Sequence, residues 1–450
     1  MQDTGMKKVL GIKECIMIGI GGMMGSSIFT LSGVTFGLAG SAAIISWVLG
    51  GIIVMLYGLN VGELASRFPS AGGLYVYPSE TLGSTEEVKT FMGWIAAWSW
   101  LNVMVLGTAF GAIFIANYLA AIVPAAMNHV ILVGIISIIL CFALNYFGIA
   151  LMGRSTIILT SLLLASTAIF VIMGLPNVSA ANFQNFFSQG ILGGSGVITS
   201  IPMAMLAYGS VIALASLGEE AKDPERTIPR AIVIAMLITM SSYVIILFTT
   251  FGTAPWQAFT PDSPSLYAPL HFAAGQFAGD RAWVSVLISI AALFAILTTM
   301  LVQVMSAGRT FMGTAGNVLP NIFKSLSPYK TPGFAMGLTC VAAAVIACFP
   351  QFVYQIIGTG ALCMSIMVIL VVLSLISARL NRKDTTPSFT VPGGLIIPVI
   401  TIAVVAFNLS RIGGDAFMLG GWWYLIGIII FFVCRPIAKK QKAIEAKESI

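Results

Sequence analysis

Twelve apolar runs, each about 17–33 residues long, follow one another along this chain with short polar stretches between them. In hydrocarbon every backbone N–H and C=O needs a partner within the protein, so runs of this length must fold as helices. They cover about residues 14–36, 41–64, 91–123, 130–147, 155–175, 197–217, 229–252, 282–310, 333–349, 352–378, 392–410 and 417–435. The 450 residues are 58% hydrophobic and 8% charged, which excludes a soluble domain of this size. The fold class is therefore an all-α polytopic membrane protein with twelve transmembrane helices. The first run begins after about a dozen residues and lacks a small-residue cleavage site, so it is expected to be a retained span and not a signal peptide.

Charge placement tests the count. With the N-terminus in the cytoplasm, twelve crossings put every Lys and Arg inside except Arg281 and Arg411, out of 22 in all. One miscounted span would invert that bias in every later loop. Both termini are accordingly expected in the cytoplasm of a plasma-membrane protein. The net charge of +6 follows from the same bias and calls for no nucleic acid. The Lys-rich tail, 436–450, is expected to be solvated, with contact to anionic lipid as the alternative. Cys15, Cys141, Cys340, Cys348, Cys363 and Cys434 fall in or beside spans at no metal-ligand spacing and read as buried small hydrophobes. His129 and His271 read as surface histidines of outer loops.

The first run is interrupted by Gly19-Ile20-Gly21-Gly22-Met23-Met24-Gly25-Ser26-Ser27-Ile28-Phe29. Each glycine costs a helix roughly 1 kcal/mol against alanine. A break at this depth survives only where it is buried in protein or lines a polar cavity. The freed N–H groups of the outer half-helix would face an anionic ligand group, as at a transporter's binding site. A helix pair packed through small residues is the structural alternative. The sixth run carries a second interruption, Leu206-Ala207-Tyr208-Gly209-Ser210, five spans later. Two units of five helices necessarily run in opposite senses across the membrane. Residues 14–175 and 197–379 thus read as an inverted 5+5 repeat with helices 1 and 6 broken, followed by two further spans at 392–435.

Two inner loops stand out, Glu63-Leu64-Ala65-Ser66-Arg67-Phe68-Pro69-Ser70-Ala71-Gly72-Gly73-Leu74-Tyr75 and the stretch from Gly218 to Ala231. In the second, Pro229 fits the first turn of a helix, with Thr227 or a neighbour capping it. Neither forms a catalytic constellation. These loops, the two interruptions and Ser306-Ala307-Gly308-Arg309 resemble the amino acid–polyamine–organocation transporter family. Its patterns are G-I-G…G-S-G-I-F, E-L-A-x-R-F-P-x-x-G-G-x-Y, A-Y-G-G…E-E-x-K-N-P-x-R-x-I-P-R-A and S-x-x-R, met here in order across the first eight spans. Three departures are Ser27 and Ser210, where the family has glycine, and Leu206, where it often has an aromatic gate. The resemblance implies a leucine-transporter-type fold. It also implies a substrate carboxylate on the backbone around Gly25, Ser26 and Ser27, and an amine at carbonyls near Met23, Leu206 and Gly209. Ala207, Tyr208 and Ser210 belong to the same implied pocket. Asn102 and Gln303 are deep polar residues that either complete it or bond between helices.

All sixteen acidic residues fall in loops, tails or span ends, with Glu14, Glu63 and Glu219 at the ends of spans. A cationic substrate would leave a buried charge unpaired, at about 2.5–3.5 kcal/mol. Neutral L-amino acids fit best, carried by secondary transport with alternating access. Coupling is open between Na+, H+ and exchange or uniport without an ion. Proton-coupled relatives carry a lysine on span five, which Ser155–Leu175 lacks, whereas Thr298 and Thr299 stand where related folds place the hydroxyls of a sodium site. With carbonyls of Gly21 and Met24 they would form an oxygen cage; bonding back to their own helix is the alternative. No other cofactor is expected, and the oligomeric state is open. Rival functions are an exchanger or carrier of another small zwitterion or amine, and a membrane nutrient sensor. The short tails, with no appended domain expected, speak against the sensor. An intramembrane enzyme lacks its buried nucleophile, paired acids or metal cluster.

Overall fold

The computed structural model describes residues 8–68, 73–218, 220–260, 263–266, 268–279, 281–381 and 387–448. Lys7, loop residues 69–72, Glu219, Arg382 and Lys383 lie outside them. Among the described residues there are fifteen α-helices and no β-strand. In chain order these are α1 (Ile12–Met23), α2 (Ser26–Ala39), α3 (Ala43–Arg67), α4 (Gly73–Thr81), α5 (Glu86–Ala120), α6 (Val130–Tyr146), α7 (Ile149–Gly174) and α8 (Gly194–Gly209). They continue as α9 (Pro224–Thr253), α10 (Pro269–Ala278), α11 (Trp283–Thr314), α12 (Gly333–Ala347), α13 (Val353–Asn381), α14 (Ile396–Leu409) and α15 (Gly414–Glu448).

Eight helical runs among the described residues are long and apolar enough to cross a membrane, and one of them, Ile12–Arg67, contains α1, α2 and α3. The fourth, ninth and eleventh predicted spans fall on α6, α12 and α14, apolar helices of 17, 15 and 14 residues. That is short of the roughly 20 residues a bilayer core demands of an upright helix. The burial pattern is that of a multi-pass membrane protein. α5 and α11 pack along one another, where the fully enclosed Trp100 donates to Ser306, while Trp94, equally enclosed, donates to the Gly427 carbonyl of α15. The outer helices instead present large apolar side chains outward, among them Ile172, Val341, Ile396 and Phe432, each more than 60% exposed. An apolar belt of that extent is stable only against lipid or another protein surface.

Three expectations are corrected. Pro229 does not open a helix; α9 starts five residues earlier with Pro224 in its first turn and Asp223 as the flanking residue, and Pro229 lies inside it. Pro224 serves better because the first-turn N–H has no intrahelical partner to lose. The tail beyond Arg435 is exposed along most of its length, as a solvated tail is, but it is not a loose segment: it continues α15 as helix to Glu448. Its Gln441 accepts the Asn321 amide at 2.9 Å and Lys442 donates to Asn317 at 3.2 Å. Cys348 and Cys434 are not buried, unlike the other four cysteines; all six are free thiols.

Two buried ion clusters tie the helix ends together. Glu63 at the end of α3 accepts from Arg67 at 2.9 Å, from Arg379 of α13 and from the Val391 amide at 2.8 Å. Arg309 at the end of α11 forms a two-pronged pair with Glu220, at 2.6 and 2.7 Å, both side chains 2% exposed. The Glu220 carbonyl accepts the amides of Val9 and Leu10, so the same pair anchors the approach to α1.

Candidate functional site

The helix breaks meet at the centre of the bundle. α1 stops at Met23 and α2 starts at Ser26, with Gly25 between them at φ −69°, ψ −118°. A Cβ on Gly25 would fall on Thr299 Oγ1 and the Ala295 carbonyl of α11, so only glycine fits against that helix. α8 ends at Gly209, and the chain continues as a 3₁₀ segment, Ser210–Leu217, far longer than the usual three or four residues of such a turn. The second half, α2, packs against α8, and the first half, α1, packs against the 3₁₀ segment.

No side chain caps α2. Its first-turn N–H groups have no partner within the helix, and their dipoles align toward the break. Of these the Ser26 amide reaches Thr299 Oγ1 at 3.3 Å, which leaves the following amides and the two serine hydroxyls to a ligand. Tyr243 of α9 ties the breaks together. Its hydroxyl donates to the Met23 carbonyl and stands 3.3 Å from that of Ala207. The Tyr243 ring packs in a cluster with Trp47 and Tyr208, at centroid distances of 5.0 Å to each.

Beside the breaks lies a cavity of about 60 Å³. Of the residues singled out in the sequence, Ser26, Ser27, Leu206, Gly209, Ser210 and Gln303 line it. Met23, Gly25, Asn102, Ala207 and Tyr208 do not. Met23 and Ala207 instead offer carbonyls to Tyr243, Gly25 makes the close approach to α11, and Tyr208 turns to the aromatic cluster. Asn102 misses the cavity because α5 presents Val103, Leu106, Gly107 and Phe110, the i, i+3, i+4, i+7 stripe that begins one residue later. Asn102 Oδ1 is buried with no partner among the described residues. Sequence reasoning missed the apolar wall, which adds Leu31 and, from α13, Ile356 and Ile357. It also missed Tyr243. The α5 stripe was readable from its spacing; nothing marked one tyrosine of α9 among other apolar residues. No charged side chain lines the cavity.

On the other side of the first break is a cluster of oxygens. Thr298 Oγ1 donates toward Ala295 O at 2.7 Å and stands 3.2 Å from Gly21 O, so it bonds both to its own helix and across to α1. Thr299 Oγ1 lies 3.3 Å from Gly21 O and 3.1 Å from Gly22 O. Thr160 of α7 presents a buried hydroxyl without a partner among the described residues, packed directly against Gly21. Met24 is buried beside the break, but no bond brings its carbonyl into the cluster. Hydroxyls and carbonyls without a carboxylate suit a hard monovalent cation. Among the described residues no group of His, Cys, Asp and Glu could hold a transition metal.

A sequence model of the amino acid permease family matches residues 14–410, nearly the whole membrane-embedded chain. The chain belongs to this family. The resemblance carried by the glycine breaks and loop motifs is thereby established, and the permease is a multi-pass membrane transporter of a family that is not enzymatic. Relatives span its full length at low identity. A branched-chain amino acid permease, BcaP, of Lactococcus lactis is 26% identical, covering 98% of this chain and 97% of the relative. A methylthioribose transporter of Bacillus subtilis is 25% identical over 96% and 94%. A serine/threonine exchanger, SteT, of the same organism is 27% identical over 55% of each chain.

Proposed function

We propose that this permease is a secondary active transporter of neutral, small to medium aliphatic L-amino acids, with the zwitterion held between the broken helices. The observation that carries this is the cavity's composition. Backbone ends and serines lie at the breaks, aliphatic side chains and Phe110 form the far wall, and among the described residues no ionisable side chain lines it. The α-carboxylate sits at the start of α2, where unpaired amides and the positive dipole end meet it. The α-amine faces the carbonyl end of α8, where Leu206 and Gly209 line the cavity. The side chain points to Leu31, Val103, Leu206 and Ile356. Names among the relatives, branched-chain amino acids above all, agree with an aliphatic wall of this kind.

Twelve crossings, an inverted 5+5 repeat and alternating access complete the proposal, with both termini in the cytoplasm of the plasma membrane. Packing supports the repeat. Under it α3 pairs with α9, α5 with α11 and α6 with α12, and each of these pairs is in contact. Halves of the two broken helices also meet in kind, α2 with α8 and α1 with the 3₁₀ segment. Spans 1, 2, 6 and 7 would rock against 3, 4, 8 and 9. The oxygen cluster between α1 and α11 fits Na+; proton coupling and ion-free exchange are its competitors.

Counterflow in liposomes containing the pure permease tests transport directly. Vesicles loaded with unlabelled leucine, valine, serine, arginine or putrescine should take up labelled leucine when the load is a neutral aliphatic amino acid. Saturable binding without counterflow would favour a sensor. Counterflow driven by arginine or putrescine would overturn the neutral assignment.

A further inference from the structure

The charged end of α15 borders a second cleft, which shares no lining residue with the central cavity. Between the first turns of α5 and the end of the apolar part of α15 lies a cleft of about 450 Å³. Its walls are Phe91, Met92, Phe431 and Phe432, and its cations are Arg435 and Lys439. Arg435 is 8% exposed and its Nε has no acceptor among the described residues. Its guanidinium stacks 5.1 Å above the Phe431 ring, which is itself braced edge-on by Phe91 at 5.1 Å. Glu87 is the acidic neighbour. It stands 3.6 Å from Arg435 Nη1 and 3.9 Å from Lys439 Nζ, beyond the 2.7–2.9 Å of a charge-assisted hydrogen bond, and its side chain is 76% exposed. The carboxylate pairs loosely with Nη1 and leaves the buried Nε of Arg435 without an acceptor among the described residues, which is costly at that burial.

The surroundings identify what the fork faces. Trp422, Leu425, Ile429 and Phe432 form an exposed apolar stripe along α15, and it runs directly into the cleft. Arg435 thus stands where acyl chains give way to headgroups, and Lys439, Lys440 and Lys442 follow on the polar side. Gln441 and Lys442 pin the extension to Asn321 and Asn317, holding both cations over the opening. We propose that this cleft binds one anionic phospholipid, with its phosphate on Arg435 and Lys439 and an acyl chain along Phe91 and Phe432. A phosphodiester presents two oxygens sharing one negative charge to the planar fork; phosphatidylcholine has the same group, but its quaternary ammonium adds a cation beside Arg435 and Lys439, so a headgroup of net negative charge is preferred.

The test is lipid titration of the full chain in detergent, with retained lipids counted by native mass spectrometry and stability followed by thermal unfolding. Phosphatidylglycerol, phosphatidylcholine and inorganic phosphate serve as the three probes. One phosphatidylglycerol should be retained and should raise the unfolding temperature, whereas phosphatidylcholine and inorganic phosphate should do neither. Arg435→Gln and Lys439→Gln should each weaken retention about fivefold, and together they should erase the preference over phosphatidylcholine. Lys330→Gln, a basic change elsewhere, should leave it intact. Glu87→Gln keeps both cations and removes the competing carboxylate, so it should tighten retention about fivefold even if the arginine variant fails to fold. Equal retention of both lipids by the wild type, or an unchanged preference in Glu87→Gln, overturns the proposal. Displacement by inorganic phosphate would mark a soluble-anion site and overturn it as well.

Discussion

Gly25 shows how one residue joins the two candidate sites. Its missing side chain lets the first break lie on α11, where Thr299 accepts the Ser26 amide while facing the carbonyls of Gly21 and Gly22. Gly25→Ala should abolish uptake and lower stability by about 1–3 kcal/mol through overpacking, read by transport assay and thermal unfolding. Adding Thr299→Ala should not rescue it, because the Ala295 carbonyl still blocks the new methyl. Thr298→Ala and Thr299→Ala should remove any saturable rise of substrate affinity with sodium while leaving sodium-free binding nearly intact, and Thr→Ser should keep much of it. By linkage, substrate should tighten sodium by the same factor. Accumulation driven equally well by a proton gradient without sodium would return both threonines to a packing role. The polar residues at the breaks were legible because glycine and serine are anomalous in an apolar helix. Tyr243 was not, since a tyrosine within an apolar span signals nothing until its hydroxyl is seen on Met23 and near Ala207. Tyr243→Phe should cost about 1–3 kcal/mol by leaving a buried carbonyl short of its donor, measured by thermal unfolding.

At the scale of elements, function rests on helices that stop early and are held from outside. The ends of α3 and α13 and the approach to α14 converge on Glu63, a buried carboxylate with two arginines and a backbone amide around it. Glu63→Gln should destabilise the permease by about 3–5 kcal/mol, because Arg67 and Arg379 would remain in place around a neutral amide. An unfolding temperature equal to that of the wild type would show that the cluster carries no such strain. Each apolar run proved helical, but the short helices α4 and α10 lie between the runs and apolar length did not reveal them. Helix ends were less legible than the runs themselves. The start of α9 was placed at Pro229 instead of Pro224 because both prolines satisfy the same first-turn rule and only tertiary contacts choose between them. The helical extension of α15 was overlooked because a charged stretch reads as solvated, although its Ala, Lys, Gln and Glu are all good helix formers.

For the whole molecule, the asymmetry of Lys and Arg carries the topology. With the six native cysteines replaced, a cysteine at Ser179 should react with an impermeant thiol reagent in intact cells and one at Ser325 should not; the reverse pattern would invert the map. The paired breaks in helices 1 and 6 pointed to the central cavity, but its apolar wall from α5 and α13 needed the structure, since any apolar span supplies such residues on every face. That wall and the absence of charge make substrate selection the sharpest consequence. The deciding measurement is competition for labelled leucine binding by the pure permease. Valine and isoleucine should compete at concentrations close to leucine's own, leucinamide should be weaker by severalfold or more because the α2 amides lose their anion, and arginine, lysine and putrescine should compete little. Arginine competing as well as valine would contradict the account at its centre.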